Sequence, residues 1–216
     1  AEASTDIVVV GSRGTPRLRT DTPAPVDVLS GDTLTDQGAD NLTRALSALS
    51  PSFNFVPAVT SPSAAGTRPA TLRGLTPDQV LVLVNGHRRH AAAVINTNNG
   101  VGRGTVPVDL NTIPASAIER IEVLRDGAAA QYGSDAIAGV INVVLRKDAG
   151  GGFTSLRGGA TERGDGGTLA AASRNGFSIG DGGFLTVTSE FRSRAHTNAA
   201  AVDPRFGRVT QRLGDP

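Results

Sequence analysis

The chain has 216 residues, of which 38% are hydrophobic, so it is long enough to bury a core. Its formal net charge is only +1, which argues against a nucleic-acid-binding surface, because such a surface concentrates basic residues. The absence of cysteine excludes disulfides, thiolate metal sites and cysteine nucleophiles. The chain has neither an initiating methionine nor a signal-peptide pattern, and we expect a processed or excised piece.

The first predicted element is a strand in the opening stretch AEASTDIVVVGSRG. Ile7 to Val10 are β-branched, as strand residues often are. Pro16 and the two prolines of DTPAP follow, and proline has no N–H for a sheet ladder. The sequence therefore indicates no obvious partner within the chain. Two alternatives stay open: a strand meant for another protein, or the first strand of this domain's own sheet.

Short strands and amphipathic helices come next. A strand is predicted over 26–29, followed by a helix that ends before Gly38. A second helix has Asp40 or Asn41 as its N-cap and ends at Pro51. Its apolar face consists of Leu42, Ala45, Leu46 and Leu49. This pattern is typical of small helices packed on a sheet.

The run QVLVLVNG predicts the most deeply buried strand. Val80 to Val84 are continuously apolar, which suits a strand covered on both faces, and Asn85-Gly86 predicts a tight turn. NTNNGVGRGT, over 96–105, is rich in asparagine and glycine and predicts an exposed loop.

Two further strands are predicted, each preceded by a short helix. DLNTIPASAIERIEVLRDG predicts a helix with Pro114 near its first turn, then a strand over 119–124 with Ile121 and Val123 on one face. AAAQYGSDAIAGVINVVLRK predicts a helix broken at Gly133 and a strand over 140–145.

After Gly150 the sequence has the alternating pattern of antiparallel hairpins. In the clearest segment Leu185, Val187 and Phe191 share one face. The polar face carries Thr186, Thr188, Glu190 and Arg192. In a soluble sandwich the apolar face meets a second sheet, whereas in an outer-membrane barrel it meets lipid. The pattern alone leaves both alternatives open.

Several of these stretches resemble, in order, the plug domain of TonB-dependent outer-membrane receptors. The most specific is IPASAIERIEVLRDG followed by YGSDAIAGVINVV; PVDVLSGDTL, NLTRALSALSPSFNF and TLRGLTPDQVLVLVNGHRRH are also similar to plug segments. The resemblance covers about residues 5–150. It implies an α+β fold: a plug with a small mixed sheet and short helices, followed by the first antiparallel strands of a 22-stranded transmembrane β-barrel.

The resemblance also implies boundaries and a function. Residues 1–20 would be a TonB-box segment and tether, 21–149 the plug domain, and 150–216 the initial, incomplete barrel strands. Because 22 strands take about 220 residues, we expect a truncated receptor. The resemblance implies that the chain is the gate of an importer in the outer membrane of a Gram-negative bacterium. The importer would take up a small, scarce solute, and the inner-membrane protein TonB would open the gate. The alternative is a stand-alone soluble periplasmic binding or signalling module.

Three sets of site residues follow from the resemblance. The TonB box would be Asp6, Ile7, Val8, Val9 and Val10, which could add a strand to a sheet edge of TonB. Arg73 and Arg125 match arginines that face barrel glutamates and hold plug and barrel together. This chain departs from the pattern at one point: many family members have Arg-Gly where it has Arg125-Asp126-Gly127. The acidic Asp126 could therefore pair with Arg125 within the chain.

Candidate solute-binding residues lie in the loops after Asn85 and around 96–105. They are Arg88, Arg89, Asn98, Asn99 and Arg103, whose polar side chains suit a polar or anionic ligand. Simple solvent exposure is the alternative for each of them.

We predict no enzyme, no cofactor and no metal site. His87 and His90 are separated by two arginines, which repel a cation, and no nucleophile motif occurs. Glu119 and Glu122 are three residues apart in a strand, so we expect them on opposite faces, which argues against an acid/base pair.

Overall fold

The computed structural model describes residues 7–8, 17–18, 25–36, 42–50, 52–55, 69–97, 102–162 and 165–195. The chain divides into two compact units: residues 1–153 with 173–189, and residues 154–172 with 190–216. All of the candidate functional residues belong to the first unit.

Twelve strands and three short helices are present in the described residues. The strands are β1 Ile7–Val8, β2 Arg17–Leu18, β3 Val26–Ser30, β4 Phe53–Phe55, β5 Ala70–Leu72, β6 Val80–Val84, β7 His87–Arg88, β8 Ile118–Leu124, β9 Gly139–Leu145, β10 Gly152–Gly159, β11 Thr168–Ile179 and β12 Gly183–Arg194. The helices are α1 Gly31–Asp36, α2 Leu42–Leu49 and α3 Ala129–Tyr132. Short 3₁₀ turns occur at Pro77–Gln79, Leu110–Thr112, Ala115–Ala117 and Ser134–Ala136. In this part of the chain, no helix combines the length and apolar character needed to cross a membrane.

A five-stranded mixed sheet organises the first unit. Its order is β3-β8-β9-β6-β7; β6 and β9 are parallel, and the other neighbouring pairs are antiparallel. The predicted small mixed sheet with short helices is therefore confirmed. The register of β8 on β9 shifts between Ile118 and Arg120, which leaves Glu119 as an extra residue in the ladder.

Strand β6 is buried on both faces, as its continuous apolar run predicts. Val80 and Val82 belong to one core cluster, and Leu81 and Leu83 belong to the other. The first cluster also contains Leu34, Leu42 and Leu46 from α1 and α2. The second is covered by Ala128 and Ala136 and flanked by Tyr132. Hydrophobic burial on both sides holds the sheet between its covering segments.

The predicted Asn85-Gly86 turn is confirmed. Both residues have positive φ, +50° and +81°, as the two central residues of a type I′ hairpin turn require. The turn is also held from β9, because the Asn85 side chain accepts a hydrogen bond from the Leu145 N–H at 2.8 Å.

Two predictions about the segments between the strands differ from the structure. The helix predicted around Pro114 is replaced by two 3₁₀ turns, because Ile113 is extended, with φ −99° and ψ 115°, as residues before proline tend to be. The loop predicted over 96–105 is not wholly exposed. Asn96 is buried, and its N–H donates to the carbonyl of Thr105, which pairs the two ends of the loop.

Strands β10, β11 and β12 form a separate sheet in that order. The apolar residues predicted to share a face of β12 are exposed: Leu185 by 47%, Val187 by 50% and Phe191 by 57%. On β11, Leu169, Phe177 and Ile179 are exposed as well. Within the described ranges, no second sheet covers these side chains.

Candidate functional site

The opening strand has a partner within the chain. β1 pairs antiparallel with β2, with Ile7 opposite Leu18 and Val8 opposite Arg17, in a ribbon separate from the five-stranded sheet. The expectation that the opening strand has no partner within the chain is therefore wrong for Ile7–Val8. Its partner strand, Arg17–Leu18, begins directly after Pro16 and so does not need the missing proline N–H. A ribbon of two residue pairs is marginal on its own. The other TonB-box candidates, Asp6, Val9 and Val10, lie outside the described residues.

Arg73 and Arg125 lie together although they are far apart in sequence. Arg73 is in the turn after β5, and Arg125 directly follows β8. The Nη1 of Arg73 donates to the main-chain carbonyl of Arg125 at 2.9 Å and lies 3.8 Å from Oδ1 of Asp126. The structure thus gathers both candidate arginines at one end of the sheet.

Arg125 has an acidic partner, but a different one from that expected. Its Nε lies 2.8 Å from Oδ2 of Asp27 on β3, whereas the neighbouring Asp126 faces Arg73. The antiparallel register places Asp27 beside Val123, close to Arg125. The two guanidinium side chains remain 48% and 45% exposed, so each pairs within the chain and keeps accessible surface.

Two of the solute-binding candidates, Arg88 and Arg89, make contacts in different parts of the first unit. Arg88 pairs with Asp135 and donates to the main-chain carbonyl of Tyr132. Arg89 points elsewhere and contacts Oγ1 of Thr112 through Nη2 at 3.4 Å. The two adjacent arginines therefore contact two different segments of the chain. Arg88, a candidate for solute binding, also links β7 to α3.

Arg103 is exposed in the loop over 96–105, and the candidates Asn98 and Asn99 lie outside the described residues. The two sides of this loop pair through the N–H of Ala92 and the carbonyl of Pro107 at 2.8 Å. Its exposed apolar side chains are Val94, Ile95 and Val106. The loop therefore presents both a cation and apolar surface.

Asp109 begins the 3₁₀ turn beside Arg89. Burial raises the pKa of its carboxyl group, and two weaker effects oppose that shift: the hydrogen bond that Asp109 accepts from the Asn111 N–H at 2.9 Å, and the charge of Arg89. Asp109 is thus a partly buried acid directly after the basic segment 85–108.

A buried polar network, which none of the sequence predictions contains, runs across the middle of the sheet. Glu122 and Asn142 are fully buried and face each other across β8 and β9. Asn142 donates through Nδ2 to Oε2 of Glu122 at 3.1 Å and accepts from the Gly86 N–H at 3.0 Å. The sequence does contain a signal for this network, because Glu122 and Asn142 each interrupt a run of apolar residues.

Arg120 joins this network to Glu119. Its Nε donates to Oε1 of Glu122 at 3.0 Å, and its Nη1 donates to Oε1 of Glu119 at 2.8 Å. The prediction that the two glutamates are separated on opposite faces is therefore wrong. The bulge between Ile118 and Arg120 interrupts the strict alternation on which that prediction rested. Among the described residues, no cluster of three or more acidic or histidine side chains is placed to hold a metal ion.

Comparisons with known proteins agree with this architecture. A family model described as the TonB-dependent receptor plug domain matches residues 19–140. The iron-regulated outer membrane virulence protein of Vibrio cholerae serotype O1 is 33% identical over 150 residues, which cover 68% of this chain and 21% of that protein. The ferrienterobactin receptor of Escherichia coli is 33% identical over 105 residues, which cover 46% of this chain and 13% of that receptor.

Solved structures show the same fold. The ferric enterobactin receptor PfeA of Pseudomonas aeruginosa matches with a TM-score of 0.62 at 20% identity, over 81% of this chain and 25% of that one. The siderophore receptor PirA of Acinetobacter baumannii matches with a TM-score of 0.57 at 24% identity, over 78% and 24%. The chain spans about a fifth of the length of its first curated relative. Because the family model matches more than half of the chain, this protein belongs to the TonB-dependent receptor plug domain family.

Proposed function

We propose that this chain is the plug, or gate, and the first barrel strands of a TonB-dependent receptor that imports a scarce solute across the outer membrane of a Gram-negative bacterium. The observation that carries this proposal is the plug-domain match over residues 19–140. The names of the relatives support transport rather than catalysis, since they are receptors and an outer membrane protein. Residues 1–20 are the TonB-box segment and tether, 21–149 the plug, and 150–216 the initial strands of a 22-stranded barrel.

The exposed apolar residues of β11 and β12 support the barrel assignment. In a soluble sandwich, side chains such as Phe177 and Phe191 are covered by a second sheet, but both are more than half exposed. Thr186 and Glu190, on the other face of β12, are less exposed than Val187 and Phe191. An apolar face turned outward is what a lipid-facing strand requires.

The TonB box is proposed at Asp6, Ile7, Val8, Val9 and Val10. Strand addition needs a short apolar segment that can give its main-chain groups to a partner's sheet edge. Ile7–Val8 lie apart from the five-stranded sheet and share only a two-residue ribbon with Arg17–Leu18. Little pairing must therefore be lost when TonB binds this segment.

Arg73 and Arg125 are proposed to contact carboxylates of the barrel wall. Both guanidinium groups keep about half of their surface exposed, and each already has an aspartate within reach, Asp126 and Asp27. When a contact between the barrel and one of these arginines breaks, the guanidinium group can therefore still pair with an aspartate of this chain. Exchange between internal and external carboxylates suits a plug that must move.

The solute is proposed to be an anionic iron chelate. Residues 85–108 contain three arginines and two histidines but no aspartate or glutamate. The Vibrio cholerae relative is named as iron-regulated and the Escherichia coli relative as a ferrienterobactin receptor. Arg103, Asn98 and Asn99 are the proposed direct contacts. Arg88 and Arg89 are also solute-binding candidates, and their side chains contact Tyr132 and Thr112, respectively.

The proposal is tested by calorimetric titration of this chain with the periplasmic domain of TonB. Val8→Pro removes a ladder donor from the box, and Leu18→Pro disrupts the same ribbon from its other strand. We expect the unmodified chain and Leu18→Pro to bind, and Val8→Pro to bind at least about tenfold more weakly. Equal losses in the two variants contradict strand addition by the box, and no binding by the unmodified chain contradicts the TonB-dependent function.

A further inference from the structure

The segment between β9 and β10 is held by contacts from β11 and β12. The Nε of Arg174, on β11, lies 2.7 Å from Oδ2 of Asp148 in this segment. Thr186, on β12, donates through its hydroxyl to the main-chain carbonyl of Asp148 at 3.1 Å. One residue of the connection is thus fixed through its side chain by one strand and through its backbone by the next.

Arg174 makes two further contacts from the same guanidinium group. Its Nη1 donates to the main-chain carbonyl of Ser116, at 2.7 Å, in the 3₁₀ turn before β8. Its guanidinium carbon lies 5.6 Å from the centre of the Phe153 ring, within cation–π range. The side chain is 19% exposed, so these contacts are partly shielded from water. The planar guanidinium group, with five donors in a fixed geometry, can contact a carboxylate, a carbonyl and a ring together.

The same 3₁₀ turn is also held by Arg146, the residue directly after β9. The Arg146 N–H donates to the carbonyl of Ala117 at 2.9 Å, and its Nε donates to the carbonyl of Ile118 at 3.0 Å. With the contact from Arg174 to Ser116, three successive carbonyls each receive a donor. The carbonyl groups of Ser116, Ala117 and Ile118 therefore accept their hydrogen bonds from Arg174 and Arg146.

Close backbone packing indicates the same contact independently. A Cβ added to Gly176 on β11 would lie 2.6 Å from the carbonyl oxygen of Asp148 and 2.8 Å from its Cβ. The Gly176 N–H donates to the carbonyl of Gly151 at 2.9 Å. Strand β11 therefore approaches the connecting segment at a distance that only glycine allows.

We infer that Arg174 and Gly176 form an intrachain docking site that joins β11 to the 3₁₀ turn Ala115–Ala117 and to the connecting segment around Asp148. We call this site the joint. It makes these segments open and close together, as one cooperative unit. In the proposed importer the joint keeps the end of the plug attached to the first strands when the N-terminal segment is pulled; this consequence alone rests on the proposed function.

Native-state hydrogen exchange of the 216-residue chain tests the joint. The reporters are the amides of Gly176 and Arg146, and the reference is the amide of Arg89, which donates to Val82 outside the joint. Arg174→Met keeps the bulk of the side chain and removes its charge and donors. We expect both reporters to exchange about tenfold faster or more, while the reference is unchanged, because hydrogen bonds to charged groups are lost.

Two further variants separate the joint from general effects. Gly176→Ala perturbs the same contact through the backbone and should accelerate the same reporters. Arg192→Met is the matched control, since Arg192 pairs with Glu190 on its own strand, and it should leave both reporters unchanged.

Unchanged reporters in Arg174→Met, or acceleration of the reference by the same factor, overturn the inference. The measurement uses neither TonB nor solute, so its result is independent of whether the proposed function holds.

Discussion

Arg73 donates a hydrogen bond to the main-chain carbonyl of Arg125, 2.9 Å away, and so ties the turn after β5 to the end of β8. Arg73 does this from a left-handed backbone conformation, with φ +56°, followed by Gly74 at +75°. A residue other than glycine costs about 1 kcal/mol or more in that region. The hydrogen bond to Arg125 therefore compensates for local strain.

This relationship predicts an unusual order of stability at position 73. Arg73→Ala loses the hydrogen bond and keeps the left-handed strain, whereas Arg73→Gly loses the bond but relieves the strain. We expect the alanine variant to be less stable than the glycine variant by about 1 kcal/mol. Urea unfolding of both variants measures the difference. The opposite order, which is usual elsewhere in proteins, would contradict a left-handed residue at this turn.

Gly31 is predicted to tolerate no side chain. A Cβ at this position would overlap the carbonyl oxygen of Ile118, which is backbone and is held by Arg146. Gly31→Ala must therefore move the start of α1 or β8, and we expect a loss of about 3 kcal/mol, typical of overpacking. Gly150→Ala is the control, because no atom lies within 4 Å of its added Cβ. Thermal or urea unfolding distinguishes them, and equal stability of the two variants refutes the close contact.

The two glutamates that share Arg120 are predicted to differ in importance. Glu122 is fully buried, so Glu122→Gln leaves Arg120 with less compensating charge inside the sheet, and we expect a loss of about 3 kcal/mol. The side chain of Glu119 is 35% exposed, and Glu119→Gln should cost less than about 1 kcal/mol. Denaturant midpoints of the two variants test this. Similar costs would show that the carboxylate buried in the sheet has no special role.

The raised pKa of Asp109 predicts how the stability of the folded chain changes with pH. Because burial raises its pKa in the folded chain, the folded state binds the proton more tightly than the unfolded state. The contribution of this group to stability is therefore fully present below the ordinary carboxyl pKa, about 4, and is lost as pH rises through the higher folded value.

Asp109→Asn removes the titration and keeps an oxygen that can accept from the Asn111 N–H. The stability of the unmodified chain relative to this variant should therefore fall from low pH to neutral pH and then stay constant. Unfolding measured at pH values from 3 to 7 gives this difference. A difference that is flat over that range, or that rises, contradicts a raised pKa.

Local sequence determined the elements whose signals are contained in a few neighbouring residues. The buried strand β6 follows from five consecutive apolar residues, and the Asn85-Gly86 turn follows from two residues that accept positive φ. The plug family was likewise recognisable from ordered motifs such as IPASAIERIEVLRDG. These features can be predicted without knowledge of distant contacts, because the pattern of apolar residues and the backbone preferences of turn residues are both local properties of the sequence.

Only the tertiary structure decided which polar groups meet. Glu122 and Asn142 are twenty residues apart, and Arg174 reaches Ser116 across 58 residues, so neither pairing leaves a local pattern. The bulge at Glu119 reverses the expected separation of two glutamates by inserting one residue into β8. Register, bulges and strand order place these side chains, and all three are set by the packing of the whole sheet.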